Sequence, residues 1–188
     1  MRGRFSIALA LVALAACNEE EAALPQPVTM TADALGFYCQ MAMSEHEGPK
    51  AQVHLADAAT PLFFAQVRDA IAFQRMPEQA APIRAIYVSD MGRAESWQSP
   101  GADNWVLLDQ AYLVLGSDAV GGMGAAEIVP FARPEEAARF AAAHGGQVVR
   151  LGEIPDEAVL SAAPRLAGNE GEDDFLRRLH AVRESGEQ

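Results

Sequence analysis

Cysteine is almost absent from this 188-residue chain, which contains only Cys17 and Cys39. The two cysteines lie far apart and form no Cys-x-x-Cys motif, so the sequence gives no support for thiol–disulfide redox chemistry. Long apolar stretches are also missing. The longest, residues 7–16, is too short to cross a bilayer as a stable helix.

Basic residues are scarce as well. The chain has 14 Lys and Arg against 26 Asp and Glu, which gives a formal net charge of −12 at pH 7. Because this surplus of negative charge repels phosphate backbones and anionic lipid headgroups, we expect no nucleic-acid partner. Half of the residues are hydrophobic, which is enough for the core of one domain or of two small ones.

The N-terminus has the pattern of an export signal. Arg2 and Arg4 precede the apolar stretch, which ends in Leu14-Ala15-Ala16-Cys17. This order resembles a bacterial lipobox, in which the chain is cut before Cys17 and the sulfur of that cysteine is acylated. We therefore predict residues 1–17 to be a lipoprotein signal peptide, and we expect the mature protein to be held at a membrane by lipid on Cys17.

The remaining thiol lies in the segment Tyr38-Cys39-Gln40-Met41-Ala42-Met43. Thiolate and thioether donors together select Cu(I) over hard cations, and they suit zinc less well. In an extended segment, the side chains of Cys39, Met41 and Met43 would project to the same side. An unpaired thiol is unusual in an exported protein, and metal binding would explain it. The alternative is that these sulfurs are ordinary core residues.

The pattern after the signal predicts an α+β fold. Residues 18–30 are acidic and contain prolines, so we interpret them as a linker. Residues 36–43 and 50–56 read as two strands joined by a polar turn. A helix is expected next, because Phe64, Val67 and Ile71 recur at helical spacing, and Pro77 ends it. Residues 83–88 are predicted to form a further strand.

The second half of the chain predicts the same order of elements. Strands are expected at 112–115, 128–131 and 147–151, with a helix at 134–143. A set of helix residues also recurs 67 positions later, as Phe64-Ala65, Asp69-Ala70 and Phe73 match Phe131-Ala132, Glu136-Ala137 and Phe140. We therefore predict an internal duplication that yields two tandem ββαβ modules. The modules are assigned to residues 31–95 and 96–160, and they are followed by a charged tail, 161–188.

A third copper ligand is expected from the second module. Met123 lies in the glycine-rich segment 116–124, and glycines allow a side chain to be brought close to another backbone or to a ligand. His46 and His54 are the nearest imidazoles in sequence, but histidines on turns and strand surfaces are usually just solvated. We rank both behind Met123 as ligands, together with Met43.

Several separate segments resemble the NosL family. They are the lipobox, Tyr38-Cys39-Gln40-Met41, Glu45-His46-Glu47-Gly48-Pro49-Lys50-Ala51-Gln52, Val67-Arg68-Asp69-Ala70-Ile71-Ala72-Phe73, Ser89-Asp90-Met91-Gly92, and the run from Gly116-Ser117-Asp118 to Gly121-Gly122-Met123-Gly124. The family's C-x-M motif falls on Cys39 and Met41, and its glycine-flanked methionine falls on Met123. Met43 lies outside that pattern, and the tail has no family counterpart.

The resemblance implies a copper-binding lipoprotein that acts as a copper chaperone and not as an enzyme. It would face the periplasm and supply Cu(I) for the copper–sulfide centre of nitrous oxide reductase. Its partners would be the reductase apoprotein and the membrane-bound maturation complex NosDFY. For the lipid anchor we favour the outer membrane over the inner. Two alternatives remain: a Cys39-dependent enzyme with a fold similar to that of organomercurial lyase, and a lipoprotein that only scaffolds the maturation complex.

Overall fold

The computed structural model describes residues 23–160, which form two antiparallel sheets and three α-helices within that range. The predicted signal peptide, the lipidation site Cys17 and the predicted tail lie outside these residues. No helix between residues 23 and 160 is long and apolar enough to span a membrane. In chain order the elements are β1 (Ala51–Leu55), β2 (Leu62–Phe64), α1 (Val67–Arg75), β3 (Ile83–Ser89), β4 (Trp105–Leu107), β5 (Tyr112–Leu115), β6 (Val129–Phe131), α2 (Pro134–His144), β7 (Gln147–Val149) and α3 (Asp156–Leu160).

The first sheet has the strand order β2-β1-β3-β4, and every pair in it is antiparallel. Side chains alternate between its two faces. On one face, Val53 and Val88 pack with α1 in the main core cluster. On the other face, Gln52 and His54 are also buried, although both are polar. Both faces of this sheet are therefore covered.

The second sheet has the order β6-β5-β7, which repeats the order β2-β1-β3 of the first. In each half, the first strand is central, the second pairs with it antiparallel, and a helix leads to a third strand on its other side. The ends of β2 and β6 and the starts of α1 and α2 keep the spacing of 67 residues found in the sequence. The mixed α+β architecture is confirmed, while a common origin of the two halves stays a prediction.

One core joins the two halves. Leu113 and Val149 of the second sheet pack in the same cluster as Ile71 of α1 and Val53 of the first sheet. A smaller cluster, which includes Phe131, lies between the second sheet and α2. Because α1 contributes to a core shared by both sheets, a segment from the second half can be held rigidly against the N-terminal end of α1.

Two parts of the predicted secondary structure are wrong. Residues 36–43 form no strand; they form a tight turn that leads into a 3-10 turn at Met43–Glu45. Phe64, expected to start the first helix, ends the short strand β2, and the helix begins at Val67. Strand β4 was not expected. It follows the predicted module boundary but pairs with β3 of the first sheet, and the boundary itself stays a prediction.

Candidate metal site

Cys39 lies in a tight turn closed by backbone hydrogen bonds. The N–H of Gln40 donates to the carbonyl of Gly36 at 2.9 Å, and the N–H of Gly36 donates to the carbonyl of Met41, also at 2.9 Å. Gln40 has a positive φ of 56°, and its side-chain amide donates to the carbonyl of Phe37 at 2.7 Å. This geometry rules out the extended segment, so alternate residues do not share a face.

Gly36 makes room for the thiol. A Cβ atom at this position would lie 2.5 Å from Cys39 Sγ and 3.5 Å from Met43 Sδ. No side chain larger than hydrogen fits there unless the cysteine moves. Gly36 was expected only as the first residue of a strand. The sequence feature that could have pointed to its role is its position three residues before Cys39.

Cys39 and Met123 line the same small cavity. The cavity has a volume of about 20 Å³, and its walls are Gly36, Tyr38, Cys39, Phe64, Ala65, Asp69 and Met123. This is room for one water-sized particle, and hence for a single metal ion. The Met123 side chain is 47% exposed. The structure thus brings together a thiol from the first half of the chain and a thioether from the second, at a place open to solvent.

The other candidate sulfurs lie close to Cys39 in the chain but in different surroundings. Met41 is 46% exposed and is not among the residues that line the cavity. Met43 is buried with Ala34 and Ala65, although its sulfur lies near Gly36 on the same side as Cys39 Sγ. In this arrangement Met41 could reach a metal only from the solvent side, whereas Met43 also serves as a core residue.

His46 connects the two halves of the site. Its Nε2 lies 3.5 Å from Cys39 Sγ, and its Nδ1 lies 3.0 Å from the carbonyl oxygen of Gly122. Because a carbonyl only accepts hydrogen bonds, Nδ1 must carry the proton, and in the neutral ring Nε2 then presents a lone pair to the thiol. The ring is buried. The expectation of a solvated turn histidine is therefore wrong for His46.

His54 lies elsewhere. Its Nε2 is 2.8 Å from Gln52 Oε1, and its ring packs edge-on against Tyr87. Burial lowers the pKa of His54 below its usual value. It is not among the residues that line the Cys39 cavity. The expected solvated strand histidine is thus buried and has partners of its own, away from the thiol.

The loop that carries Met123 is anchored to the first half of the chain. Glu127 Oε1 accepts the backbone N–H of Ile128 at 2.8 Å and that of Arg68, in the first turn of α1, at 3.3 Å. Gln66 Nε2 donates to the carbonyl of Ala125 at 3.3 Å. These contacts fix the C-terminal side of the Met123 loop beside α1.

Two buried ionisable groups lie beneath this loop. Burial raises the pKa of Glu127 to about 8 and lowers that of Lys50 to about 8. Lys50 Nζ donates to the carbonyls of Glu47 and Gly48 at 2.9 and 2.6 Å. Burial also raises the pKa of Asp69, a wall residue of the cavity, against the opposing effect of Arg68. A carboxylate is a hard donor, which suits a soft metal less well than sulfur does.

The donor set is soft. Within residues 23–160, no group of three or more His, Cys, Asp or Glu side chains is placed to hold a metal ion. What converges at the cavity is a thiol, a thioether and one nearby imidazole. These features define a class: a small α+β protein with a solvent-accessible candidate site for a soft metal, built from both halves of its chain.

The comparisons with known proteins place the chain in a family. The model of the NosL protein family matches residues 27–159, so the chain belongs to the NosL family. The copper-binding lipoprotein NosL of Achromobacter cycloclastes is 51% identical over 180 residues, which is 94% of this chain and 92% of that protein. The copper-binding lipoprotein NosL of Stutzerimonas stutzeri is 30% identical over 152 residues, with coverage of 80% and 77%.

A solved structure agrees with the fold. The crystal structure of the copper chaperone NosL from Shewanella denitrificans is similar with a TM-score of 0.64 and 27% sequence identity. The match covers 69% of this chain and 95% of that one. The names of these relatives describe copper-binding lipoproteins and a copper chaperone, and none of them describes an enzyme.

Proposed function

We propose that this chain is a lipid-anchored copper chaperone that carries Cu(I) at Cys39, with Met123 and Met41 as thioether donors. The observation that supports it most is the shared cavity of Cys39 and Met123, since residues so distant in sequence otherwise have no reason to place two sulfurs at one solvent-accessible point. The copper-binding relatives support the metal assignment. Cys39 provides the anionic donor, and the thioethers are neutral soft donors.

Transfer of the cargo needs only ligand exchange. Two or three sulfur donors leave Cu(I) an open coordination position, which a ligand of the acceptor can take before the donor sulfurs let go. The exposure of Met41 and Met123, both near half, allows them to be displaced first. His46 holds the Met123 loop and the thiol together from the protein side. It is the next candidate ligand if a thioether is not one.

The family resemblance supplies the finer assignment. The acceptor would be nitrous oxide reductase, whose copper–sulfide centre receives the metal with the help of NosDFY. The protein would work on the periplasmic side of a membrane, attached through Cys17 and with the outer membrane favoured over the inner. The strongly acidic composition suits a protein that must stay soluble at the end of a tether.

One alternative gains an observation from the structure. The imidazole of His46 beside the Cys39 thiol is the pair that a cysteine nucleophile would need. However, the relatives of this chain are named as copper-binding proteins and none is named as an enzyme, which favours metal binding at the sulfur. The scaffold alternative predicts that the sulfurs bind no metal at all. A copper titration separates these possibilities.

The test is a competition titration of the soluble protein that lacks residues 1–17, using a chromophoric Cu(I) chelator under reducing, anaerobic conditions. We expect one tightly bound Cu(I), a large loss of affinity in Cys39→Ala, and a smaller loss in Met123→Leu. Leucine keeps the volume of methionine, so Met123→Leu should change the free energy of unfolding by less than about 1.5 kcal/mol. Because copper displaces the thiol proton, wild-type affinity should rise with pH.

Met91→Leu is the matched control, since Met91 packs in the second core cluster and lines a different cavity. It should bind Cu(I) as the wild type does. Unchanged affinity in Cys39→Ala would exclude the proposed site. Unchanged affinity in Met123→Leu alone would move the third ligand elsewhere, and His46→Asn would then be the variant to measure.

A further inference from the structure

The segment from Ala23 to Met30, here called the strap, is fixed along the outer face of the first sheet, the face that α1 does not cover. Its backbone is held by side chains of the sheet. Arg84 donates to the carbonyl of Ala23 at 3.2 Å, and the Tyr87 hydroxyl donates to that of Pro25 at 2.7 Å. The side chain of Gln52 bonds both the N–H and the carbonyl of Val28, at 2.9 and 3.0 Å.

These contacts explain the buried polar side chains of this face. Gln52 is completely buried, and its amide replaces the backbone partner that Val28 would have in a sheet. His54 in turn contacts Gln52 Oε1. The strap is therefore part of the folded body, and only five residues of the sequence separate it from the predicted lipidation site Cys17.

The strap has a direction. Ala23 lies by Arg84, at the end of the sheet where β3 begins and Leu55 ends β1. Met30 lies at the opposite end. Its N–H donates to the carbonyl of Ala102, and the same carbonyl accepts a hydrogen bond from the Trp105 indole. Trp105 in turn pairs with the last residue of β3.

The Cys39 site lies at the Met30 end. Phe64 and Ala65 line its cavity, and Phe64 is paired with Ala51, the first residue of β1. Ala51 also pairs with Val88, near the end of β3. The anchored end of the strap and the candidate metal site are therefore at opposite ends of the same sheet, separated along β3, from Arg84 to Val88, by about 14 Å at ~3.4 Å per residue.

We infer that the strap orients the protein on the membrane, with the Ala23 end of the sheet toward the bilayer and the Cys39 site away from it, facing a soluble acceptor. This rests on the proposed lipid anchor at Cys17. From Cys17 to Ala23 the chain can extend at most about 20 Å, so the Ala23 end stays within that distance of the lipid surface, whereas the Cys39 site can lie farther out by the length of the sheet. A free linker reaching to residue 30 would let either end approach the bilayer.

The test compares two positions of a fluorescent label on the lipidated full-length chain in phosphatidylcholine vesicles. In a Cys39→Ser background with Cys17 acylated, a single added cysteine carries the label. Asp57→Cys places it just beyond β1 at the Ala23 end, and Ser44→Cys places it in the 3-10 turn beside the site; both positions are exposed. Energy transfer to an acceptor dye on the lipid headgroups should be at least about twofold higher from position 57, because the two ends of the sheet are offset by ~14 Å.

Two further variants test the cause. Adding eight Gly and Ser residues between Asn18 and Glu19 leaves the strap intact but lengthens the tether, so the difference between the labels should shrink. Tyr87→Phe with Gln52→Ala frees the strap and should have the same effect.

Equal transfer from both positions, or higher transfer from position 44, would overturn the orientation while leaving the anchor and the copper site standing. A difference that survives the longer tether would also overturn it, since the body itself would then bind the membrane. Protein that fails to attach to vesicles would overturn both the anchor and the orientation.

Discussion

At the scale of single residues, Gly36 controls where the thiol lies. The Cβ atom of an alanine there would come within 2.5 Å of Cys39 Sγ, and the sulfur, as the end of a flexible side chain, would have to move. The φ of Gly36 is not positive, so the backbone accepts alanine without strain. We expect Gly36→Ala to fold and to bind Cu(I) more weakly than the wild type, as measured by chelator competition.

Gly152→Ala is the matched control, because a Cβ atom there meets nothing within 4 Å. It should leave copper affinity unchanged. Wild-type affinity in Gly36→Ala would show that the cavity does not set the position of the bound metal.

The same residues show what the sequence could and could not predict. The soft-donor chemistry of Cys39 and Met123 follows from residue type, and the structure brings the two to one cavity. The shared face of Cys39, Met41 and Met43 was wrong, because a turn closed by Gly36 and Gln40 replaces the strand. The contact of His46 with the thiol depends on the Gly122 carbonyl, which is distant in sequence, and local patterns carry no information on such contacts.

At the scale of elements, the spacing of apolar residues and the positions of turn residues predicted an element reliably where one of its faces is buried. The sequence predicted the ends of four elements to within about two residues, with the start of α1 as the exception: α1, α2, β3 and β5. Each of these elements has an apolar face that packs against the core. Strands β2 and β4 were missed. Each has only three residues, too few to show an alternation, and depends on pairing with a distant strand.

The anchor of the Met123 loop predicts a pH dependence of stability. Burial raises the pKa of Glu127 from 4.5 to about 8, so the folded state holds a proton that the unfolded state loses between these values. The contribution of Glu127 to stability is thus present below pH 4.5 and is lost as the pH rises toward 8. Glutamine mimics the neutral carboxyl. Glu127→Gln should therefore gain stability relative to the wild type from pH 5 to pH 8, in urea unfolding.

Lys50, whose pKa burial lowers to about 8, loses its proton in the wild type mainly at the upper end of this range, and its charge interacts with that of Glu127. Glu153→Gln serves as a control for an exposed carboxylate that accepts a backbone N–H. A constant stability difference between wild type and Glu127→Gln from pH 5 to pH 8 would contradict a neutral buried carboxyl.

At the scale of the whole molecule, the two halves share a strand order but not a role. The first half supplies Cys39, His46 and the strap, and the second supplies the Met123 loop. The repeat of element order was accessible from sequence, since helix patterns recur at a constant spacing. The shared core that holds one half against the other could not be predicted from the sequence. It depends on contacts between side chains of the two halves, and the spacing of apolar residues does not show which of them meet.

The anchor and the metal site should be separable, because the described residues that form the Cys39 cavity do not include the predicted lipidation site. Cys17→Ser removes the sulfur that acylation requires, so the protein should leave the membrane fraction. The cavity walls found among residues 23–160 all come from Gly36 onward, so the purified variant should bind one Cu(I) with wild-type affinity. Asn18→Ser is the neighbouring control and should stay lipidated. Mass spectrometry of the N-terminal peptide and membrane fractionation check both variants, and a Cys17→Ser protein that still carries lipid would overturn the assignment of Cys17.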